Sequence, residues 1–206
     1  MDVDHPFVQD RTTVVRLSDG TRVLIRPVVP ADKQHLAEGL ARLSPRSRYL
    51  RFLRQVDRLT DRQLAYLTEI DYDTHFAWGA VLAEGDQRLG LGLARYVRLE
   101  DEPEVAEAAV AVLDDYQGKG LGGMLLGLLA ETALERGIKR FRSFVLPANE
   151  RVLAALDRRG AERWDEDGVV RIEVPLPLPP EAVRDSALYA ALRDVARGEI
   201  RVRPVP

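Results

Sequence analysis

A glycine-rich turn between an apolar strand and a long apolar helix is the feature that most constrains this chain. The stretch reads VAEAAVAVLDDYQGKGLGGMLLGLLAETALERG and runs from residue 105 to residue 137. The first turn of a helix has unpaired N–H groups and the positive end of the helix dipole. Gly118, Gly120 and Gly122 leave that backbone open to a large anion such as a pyrophosphate. The sequence therefore predicts an anion-binding strand–loop–helix unit.

The surroundings of this loop argue against two other phosphate-binding motifs. The Walker loop G-x-x-x-x-G-K-[ST] does not occur in the sequence. A dinucleotide fingerprint belongs to a β-α-β unit, and no such unit precedes this loop. A tight turn that binds no ligand remains the plain alternative.

The rest of the chain alternates between helical and strand patterns. Asp19-Gly20 joins two β-rich runs as a hairpin. Three helices are expected next: from Pro30 to about Leu43, over SPRSRYLRFL, and from the N-cap Thr60 to Ile70. The second half then predicts the following order: a hairpin of FAWGAVLAE and RLGLGLARYVR, the strand EVAEAAVAVL, the helix 121–136, the strand RFRSFVL, the helix 149–159 and the strand GVVRIEVPL. Helices followed by strands give this half α/β character.

Several classes of protein are disfavoured by composition. The chain has no cysteine, which excludes disulfides, a cysteine nucleophile and cysteine-ligated metals. His5, His35 and His75 lack metal-ligand spacing, so we expect no metal site. A net charge of −3 gives no drive toward nucleic acid, and no apolar run approaches the roughly 18 residues of a membrane helix. The N-terminus does not resemble a secretory signal, so we expect a cytoplasmic location without membrane contact.

The loop Gln117-Gly118-Lys119-Gly120-Leu121-Gly122 resembles the acetyl-CoA signature Q/R-x-x-G-x-G/A of the GNAT N-acetyltransferases. The resemblance extends from about Val23 to Leu176. More specifically, the chain resembles the acetyltransferase domain of bacterial Pat-type protein lysine acetyltransferases. The supporting stretches are LIRPVVPAD, LSPRSRYLRFL, LTEIDYD, AEAAVAVLDDYQGKGLG and LPANERVL. This resemblance implies an α/β (α+β) fold with a mixed, mostly antiparallel sheet, flanked by helices and splayed where acetyl-CoA enters. It also implies transfer of an acetyl group to an amine, with a protein lysine as the acceptor.

The same resemblance assigns roles to individual residues. Glu107 matches the general base on the strand before the loop, and Val112 is where a backbone N–H would polarise the thioester carbonyl. The loop 117–122 would hold the cofactor, and Asn149 matches a position that contacts it. Many GNAT enzymes carry a tyrosine acid seven residues after that asparagine, whereas this chain has Leu156.

Several alternatives stay open at this point. Glu102 and Glu104 compete with Glu107 for the role of base, and Asn149 is also a plain N-cap candidate. His75 is a candidate neighbour of the site. One basic helix carries four arginines: Arg46, Arg48, Arg51 and Arg54. Such a helix is more typical of a solvated or ion-paired face, though it also suits binding of a phosphate group or an acidic partner. Trp78 is expected in the core. Two other functions stay open besides lysine acetylation. One is acetylation of a small-molecule amine. The other is a non-catalytic acyl-CoA sensor, which the leucine at position 156 suggests.

We divide the 206 residues into three parts. Residues 1–11 are expected to be flexible, residues 12–176 form the acetyltransferase domain, and residues 177–206 are a Pro-rich linker followed by an amphipathic helix. The apolar positions of that helix recur every fourth residue: Val183, Ala187, Ala191 and Val195. We expect it to dock on the core or on a second subunit in a homodimer.

Overall fold

The computed structural model describes residues 4–83 and 89–179. Its six helices are α1 (Pro6–Asp10), α2 (Lys33–Arg42), α3 (Pro45–Phe52), α4 (Asp61–Thr68), α5 (Leu121–Glu135) and α6 (Glu150–Asp157). Its eight strands are β1 (Thr13–Arg16), β2 (Arg22–Pro27), β3 (His75–Leu82), β4 (Gly90–Arg98), β5 (Val105–Val112), β6 (Arg140–Val145), β7 (Glu162–Glu166) and β8 (Val169–Pro175).

All eight strands form one sheet in the order β1-β2-β3-β4-β5-β6-β8-β7. Every neighbouring pair is antiparallel except β5 and β6, which run parallel. The hairpin predicted at Asp19-Gly20 joins β1 to β2, and the predicted mixed, mostly antiparallel sheet is confirmed. A parallel pair in the middle of such a sheet requires a crossover, which α5 provides between β5 and β6.

Helix α5 covers one face of the sheet. It is apolar almost all round, as expected of a helix enclosed by other elements. The side chain of Trp78 is fully buried against it and donates a 3.0 Å hydrogen bond from Nε1 to Thr132 Oγ1. A Cβ atom on Gly92 would lie 3.1 Å from Leu125, so this strand position has no room for a larger residue. Trp78 therefore belongs to the core, as predicted.

Helices α2, α3 and α4 cover the opposite face. Thr60 caps α4 in a reciprocal capping box with Gln63, which confirms the predicted helix start. Between β2 and α2, Arg26 donates two hydrogen bonds to the buried carboxylate of Asp32, at 2.8 and 2.6 Å. Arg95 in β4 donates a 2.8 Å bond to the carbonyl oxygen of Leu67 near the end of α4, which fixes that helix on the sheet.

Two elements differ from the sequence expectation. Residues Pro6–Asp10, expected to be loose, form α1: His5 Nδ1 accepts from the N–H of Phe7, and the side chain of Val8 is fully buried. Strand β7 was not predicted. It pairs with β8 at the edge of the sheet through a turn at Asp167 and Gly168, both with positive φ. The predicted C-terminal helix lies outside the described residues.

Candidate active site

The glycine-rich loop leads directly into the N-terminus of α5. Gly118 and Gly120 have φ values of +78° and +93°, which residues with a side chain rarely adopt. Gly120 is the N-cap of α5, and no side chain caps the first turn. A Cβ atom on Gly120 would have no protein atom within 4 Å. The start of α5 therefore has no side-chain cap and has open space beside Gly120.

Side chains of the loop hold it in place rather than reaching into that space. Gln117 Nε2 donates a 3.1 Å hydrogen bond to the carbonyl oxygen of Val112, at the end of β5. Lys119 Nζ lies 2.8 Å from the carboxylate of Asp19 in the β1–β2 turn and over the ring of Tyr116. The hydrogen bond from Lys119 lowers the pKa of Asp19 below its ordinary value. Leu121 anchors the start of α5 in the core.

Two arginines from α6 and its C-terminal end approach the glycines, a feature that sequence reasoning missed. A Cβ atom on Gly118 would lie 3.4 Å from a terminal nitrogen of Arg151, and one on Gly123 would lie 3.5 Å from a terminal nitrogen of Arg159. These guanidinium groups add positive charge beside the positive end of α5. Positive charge at this position suits a ligand that carries phosphate groups.

A cleft opens next to the loop because β5 and β6 separate. The two strands pair only at Val105, Ala106 and Glu107 of β5, although both continue beyond these residues. Ser143 Oγ on β6 donates a 2.7 Å bond to the carbonyl oxygen of Ala108 at the point of separation. This bond shows that the backbone groups of Ala108 point toward β6. Because strand residues alternate, those of Val110 and Val112 point the same way, into the cleft.

Asn149 lies at the start of α6. It occupies the N-cap position, but its side chain makes no capping hydrogen bond there. The side chain of Asn149 therefore does not cap the helix, and its amide is available to a ligand.

Glu107 is exposed on the α2–α4 face, the same face as Ala109 and Ala111, as the alternation of β5 predicts. The strand register places His75, Val97 and Glu107 in one row across β3, β4 and β5. The positive charge of Arg51 on α3 lies close enough to interact electrostatically with Glu107.

The two competing carboxylates are engaged elsewhere. Glu104 lies 2.6 Å from Lys139 Nζ, and Glu102 accepts two hydrogen bonds from Arg142, at 2.7 and 3.0 Å. Both precede β5, at the end of the strand away from the glycine loop. Glu107 is the one of the three carboxylates that lies within the strand beside the cleft.

A cavity of about 120 Å³ lies between the α2–α4 layer and the sheet. One end touches Ala111 and Val112, where β5 leads into the loop. Its walls are mostly apolar, and the charged side chains that line it are the paired Arg26 and Asp32 together with Arg51 and Arg95. Arg95 donates a 3.0 Å hydrogen bond to Nε2 of His75, and burial followed by the charge of Arg95 lowers the pKa of His75 to about 4. His75 is therefore neutral at physiological pH.

The four arginines of the predicted basic helix are of two kinds, and Arg54 lies beyond the end of α3. Arg46 and Arg54 are exposed, and Arg48 lies 3.8 Å from Asp57, which is the solvated and ion-paired character expected of this helix. Arg51 instead turns into the cavity. At the other end of the site, Leu156 packs in the core, so α6 offers no acid at that position.

Among the described residues, no helix is long and apolar enough to span a membrane, and no cluster of three or more His, Asp or Glu side chains is arranged to hold a metal.

The start of α5 at Gly120 thus lies beside a cleft between two parting parallel strands, as the resemblance to the GNAT fold leads us to expect. A family model described as the acetyltransferase (GNAT) family matches residues 46–161, and the chain belongs to this family of acetyltransferases.

Curated relatives and solved structures support this assignment. Acetyltransferase Pat of Mycolicibacterium smegmatis is 37% identical over 188 residues, which cover 91% of this chain and 56% of that protein. An acetyltransferase of Pseudomonas aeruginosa is 35% identical over 136 residues, covering 66% of this chain and 73% of that protein. This chain thus spans little more than half the length of the Pat relative.

Among solved structures, the GNAT domain of S. lividans PAT superposes with a TM-score of 0.74 at 31% identity, covering 81% of this chain and 97% of that one. A cAMP-binding acyltransferase from Mycobacterium smegmatis gives a TM-score of 0.62 at 33% identity, covering 94% of this chain and 58% of that one.

Proposed function

We propose that this protein transfers the acetyl group of acetyl-CoA directly to an amine, most favourably the side-chain amine of a protein lysine, and that residues 12–176 form the catalytic domain. The observation that carries the proposal is the uncapped start of α5 at Gly120, which faces open space beside the cleft between β5 and β6. The family uses acetyl-CoA as its co-substrate.

The residues at this position fit acetyl-CoA. Its pyrophosphate needs hydrogen-bond donors and positive charge, which the first turn of α5 and the guanidinium groups of Arg151 and Arg159 supply. Gln117 and Lys119 act by fixing the loop, through Val112 and Asp19 respectively. The free side-chain amide of Asn149 is a further contact for the cofactor.

Bound acetyl-CoA supplies the acetyl group as an activated thioester. A lysine amine is protonated at neutral pH and attacks only after losing a proton. Glu107 accepts that proton, directly or through a water molecule. The C–N bond of the amide forms, the C–S bond breaks, and the departing thiolate takes a proton from solvent. CoA thiolate is a fair leaving group, so the absence of a tyrosine at Leu156 does not prevent turnover.

The backbone of β5 stabilises the charge that develops on the carbonyl oxygen. Sequence reasoning assigned this role to the N–H of Val112, and the N–H of Val110 points into the same cleft. With a strand rise of about 3.3 Å per residue, Val110 lies about 10 Å along the strand from Glu107 and Val112 about 17 Å. A base and an oxyanion donor act on the same reacting centre, so Val110 is the better placed donor and Val112 is left for the more distant part of the cofactor.

The lysine acceptor is supported by the similarity to Pat-type proteins and by exposed aromatic residues on the helices that line the cavity. Tyr49 on α3 and Tyr66 on α4 are 49% and 58% exposed. Aromatic side chains of this kind are enriched at protein–protein contacts. A small amine is the alternative acceptor.

Incubation of a cell lysate with the protein and isotope-labelled acetyl-CoA tests the proposal, with mass spectrometry of both proteins and metabolites. Labelled lysines in proteins support it, whereas label only on small amines identifies the alternative acceptor. Binding of acetyl-CoA in calorimetry without label on any amine would overturn the proposed transfer in favour of an acyl-CoA sensor.

A further inference from the structure

Two arginines, Arg95 buried and Arg51 half-buried, share the cavity next to Glu107, and the proposed transfer does not use either of them. Arg95 rises from β4, with only 5% of its surface exposed, and Arg51 reaches in from α3. The two are close enough for the charge of Arg51 to act on Arg95. Because neither the cofactor loop nor the cleft between β5 and β6 includes them, they belong to a different part of the site.

The positive charge of this pair is not balanced within residues 4–83 and 89–179. Arg95 donates to the carbonyl oxygen of Leu67 and contacts neutral His75, but it forms no ion pair with a described carboxylate, and its Nε atom is buried without a hydrogen-bond partner. Burial and repulsion from Arg51 lower the pKa of Arg95 to about 9, so it remains charged at neutral pH. A buried charge without a counterion is costly, and proteins keep one mainly where a ligand supplies the counterion.

The only described carboxylate that acts on Arg51 is Glu107. Two guanidinium groups and one carboxylate leave this cluster with one excess positive charge, because His75 is neutral. A ligand with a single negative charge neutralises it. The rigid fork of an arginine side chain matches a carboxylate in particular, and the cavity of about 120 Å³ has room for a group of that size.

The position of the cluster relates it to the reacting groups. Arg95 pairs in register with Ala109, next to Val110, whose N–H faces the cleft. The cavity continues along leucine side chains to Val112. An acyl chain or an acceptor chain of a few carbon atoms can therefore extend from the reacting carbonyl through apolar surroundings to the two arginines.

We propose that Arg51 and Arg95 form a carboxylate-binding subsite in this cavity. Resting on the proposed acyl transfer, the subsite holds a carboxylate of one of the two substrates: the distal carboxylate of a dicarboxylic acyl group carried by CoA, or the carboxylate of the amine acceptor. In both cases the amine nitrogen forms the amide bond, the C–S bond breaks and CoA leaves as its thiol, while the carboxylate is unchanged.

Two pairs of compounds that differ only in the carboxylate test the subsite and identify its source. In the first arm, succinyl-CoA is compared with butyryl-CoA on a lysine peptide without acidic residues. In the second arm, 6-aminohexanoate is compared with hexylamine, with acetyl-CoA as the donor. We expect the carboxylate compound of one pair to have a kcat/KM at least about tenfold higher, as is typical of a charge-assisted bidentate contact. Calorimetry of each compound with the protein alone, in the absence of the second substrate, gives an independent binding measurement.

Substitution separates the subsite from the general reaction. Arg95→Met and Arg51→Met should each abolish the preference for the carboxylate compound and leave turnover of the uncharged one measurable. Arg95→Lys, which keeps the charge but not the fork, should retain part of the preference even if Arg95→Met is unstable. Exposed Arg54→Met is the matched control and should change nothing.

The subsite would be overturned if, in both arms, the two compounds had equal kcat/KM values and equal affinities. It would also be overturned if the preference for the carboxylate compound remained unchanged in Arg51→Met and Arg95→Lys. The proposed acyl transfer is read separately, from turnover of acetyl-CoA on the lysine peptide by the unsubstituted protein.

Discussion

Ser143 on β6 donates a hydrogen bond to the carbonyl oxygen of Ala108 on β5 at the point where the two parallel strands part. Beyond this bond, toward Val112, β5 has no strand partner on its β6 side. Before it, from Val105 to Glu107, the two strands pair in register. The bond therefore marks the closed end of the cleft in which we propose that acetyl-CoA binds.

Replacement of Ser143 by alanine should weaken the closed end of the cleft. It leaves the partly buried carbonyl of Ala108 without a partner, which costs about 1 kcal/mol of stability. We expect a small loss in the free energy of unfolding measured with urea and a clear loss of acetyl-CoA affinity in calorimetry. Ser143→Thr keeps the hydroxyl and is the control. Unchanged affinity in Ser143→Ala would show that the cleft forms without this bond.

The two ends of α5 provide a matched test of the cofactor loop. Gly120 and Gly137 both have positive φ, and a Cβ atom on either would meet nothing within 4 Å. Valine at either position imposes a similar backbone strain of about 1 to 2 kcal/mol, which thermal unfolding reports. Only Gly120→Val should abolish acetyl-CoA binding, because only the N-terminal end of the helix accepts an anion. Equal affinities of the two folded variants would disprove the loop assignment.

Asp114 connects helix α3 to the cofactor loop. Its carboxylate accepts hydrogen bonds from the N–H and hydroxyl of Ser44 and from the hydroxyl of Ser47, all at the start of α3. Asp114→Ala should lower the free energy of unfolding by about 1 kcal/mol and raise the KM for the carboxylate-bearing substrate, because α3 carries Arg51 into the proposed subsite. The neighbouring Asp115→Ala is the control. If both variants have the same stability and KM, the connection has no role.

Stability should depend on the protonation of His75. Its pKa is about 4 in the folded protein because of burial and Arg95, against 6.5 for the unperturbed side chain. The folded pKa is the lower one, so the stability contribution is complete above pH 6.5 and is lost as the pH falls from 6.5 to about 4. The loss is about 1 to 2 kcal/mol after allowance for solvent screening. Urea unfolding at pH 7.5 and 4.5 should show a smaller decline for His75→Gln than for the unsubstituted protein or for His5→Gln, and equal declines would refute this origin.

Sequence patterns predicted most of the framework because local chemistry determines it. The hairpin at Asp19-Gly20, the capped start of α4 at Thr60 and the glycine loop all depend on residues close in the chain. Strand β7 was missed because ERWDE is polar on both faces and gives no alternation, as suits an edge strand. The Asp167-Gly168 pair after it was nonetheless a usable hairpin signal.

Parts of the candidate site could not be predicted because they bring together residues distant in sequence. Arg51 and Arg95 lie on a helix and a strand that meet only in the folded chain. The sequence places Arg51 on a solvated or ion-paired basic helix and gives no separate signal for Arg95. The approach of Arg151 and Arg159 to the glycines depends on how α6 packs beside α5. The resemblance predicts a splayed sheet, but the sequence does not indicate which residues of β5 lose their β6 partner, or that Val110 faces the cleft as well as Val112.

Glu107 is proposed to take the proton from the attacking amine, and the kinetics of Glu107→Gln test this role most directly. With acetyl-CoA and a lysine peptide at neutral pH, we expect kcat/KM to fall at least about a hundredfold, with acetyl-CoA affinity nearly unchanged. The deficit should shrink at high pH, where free amine is abundant. Glu104→Gln, whose carboxylate pairs with Lys139 away from the cleft, should be nearly silent. A full rate in Glu107→Gln, or a large loss in Glu104→Gln instead, would contradict the account.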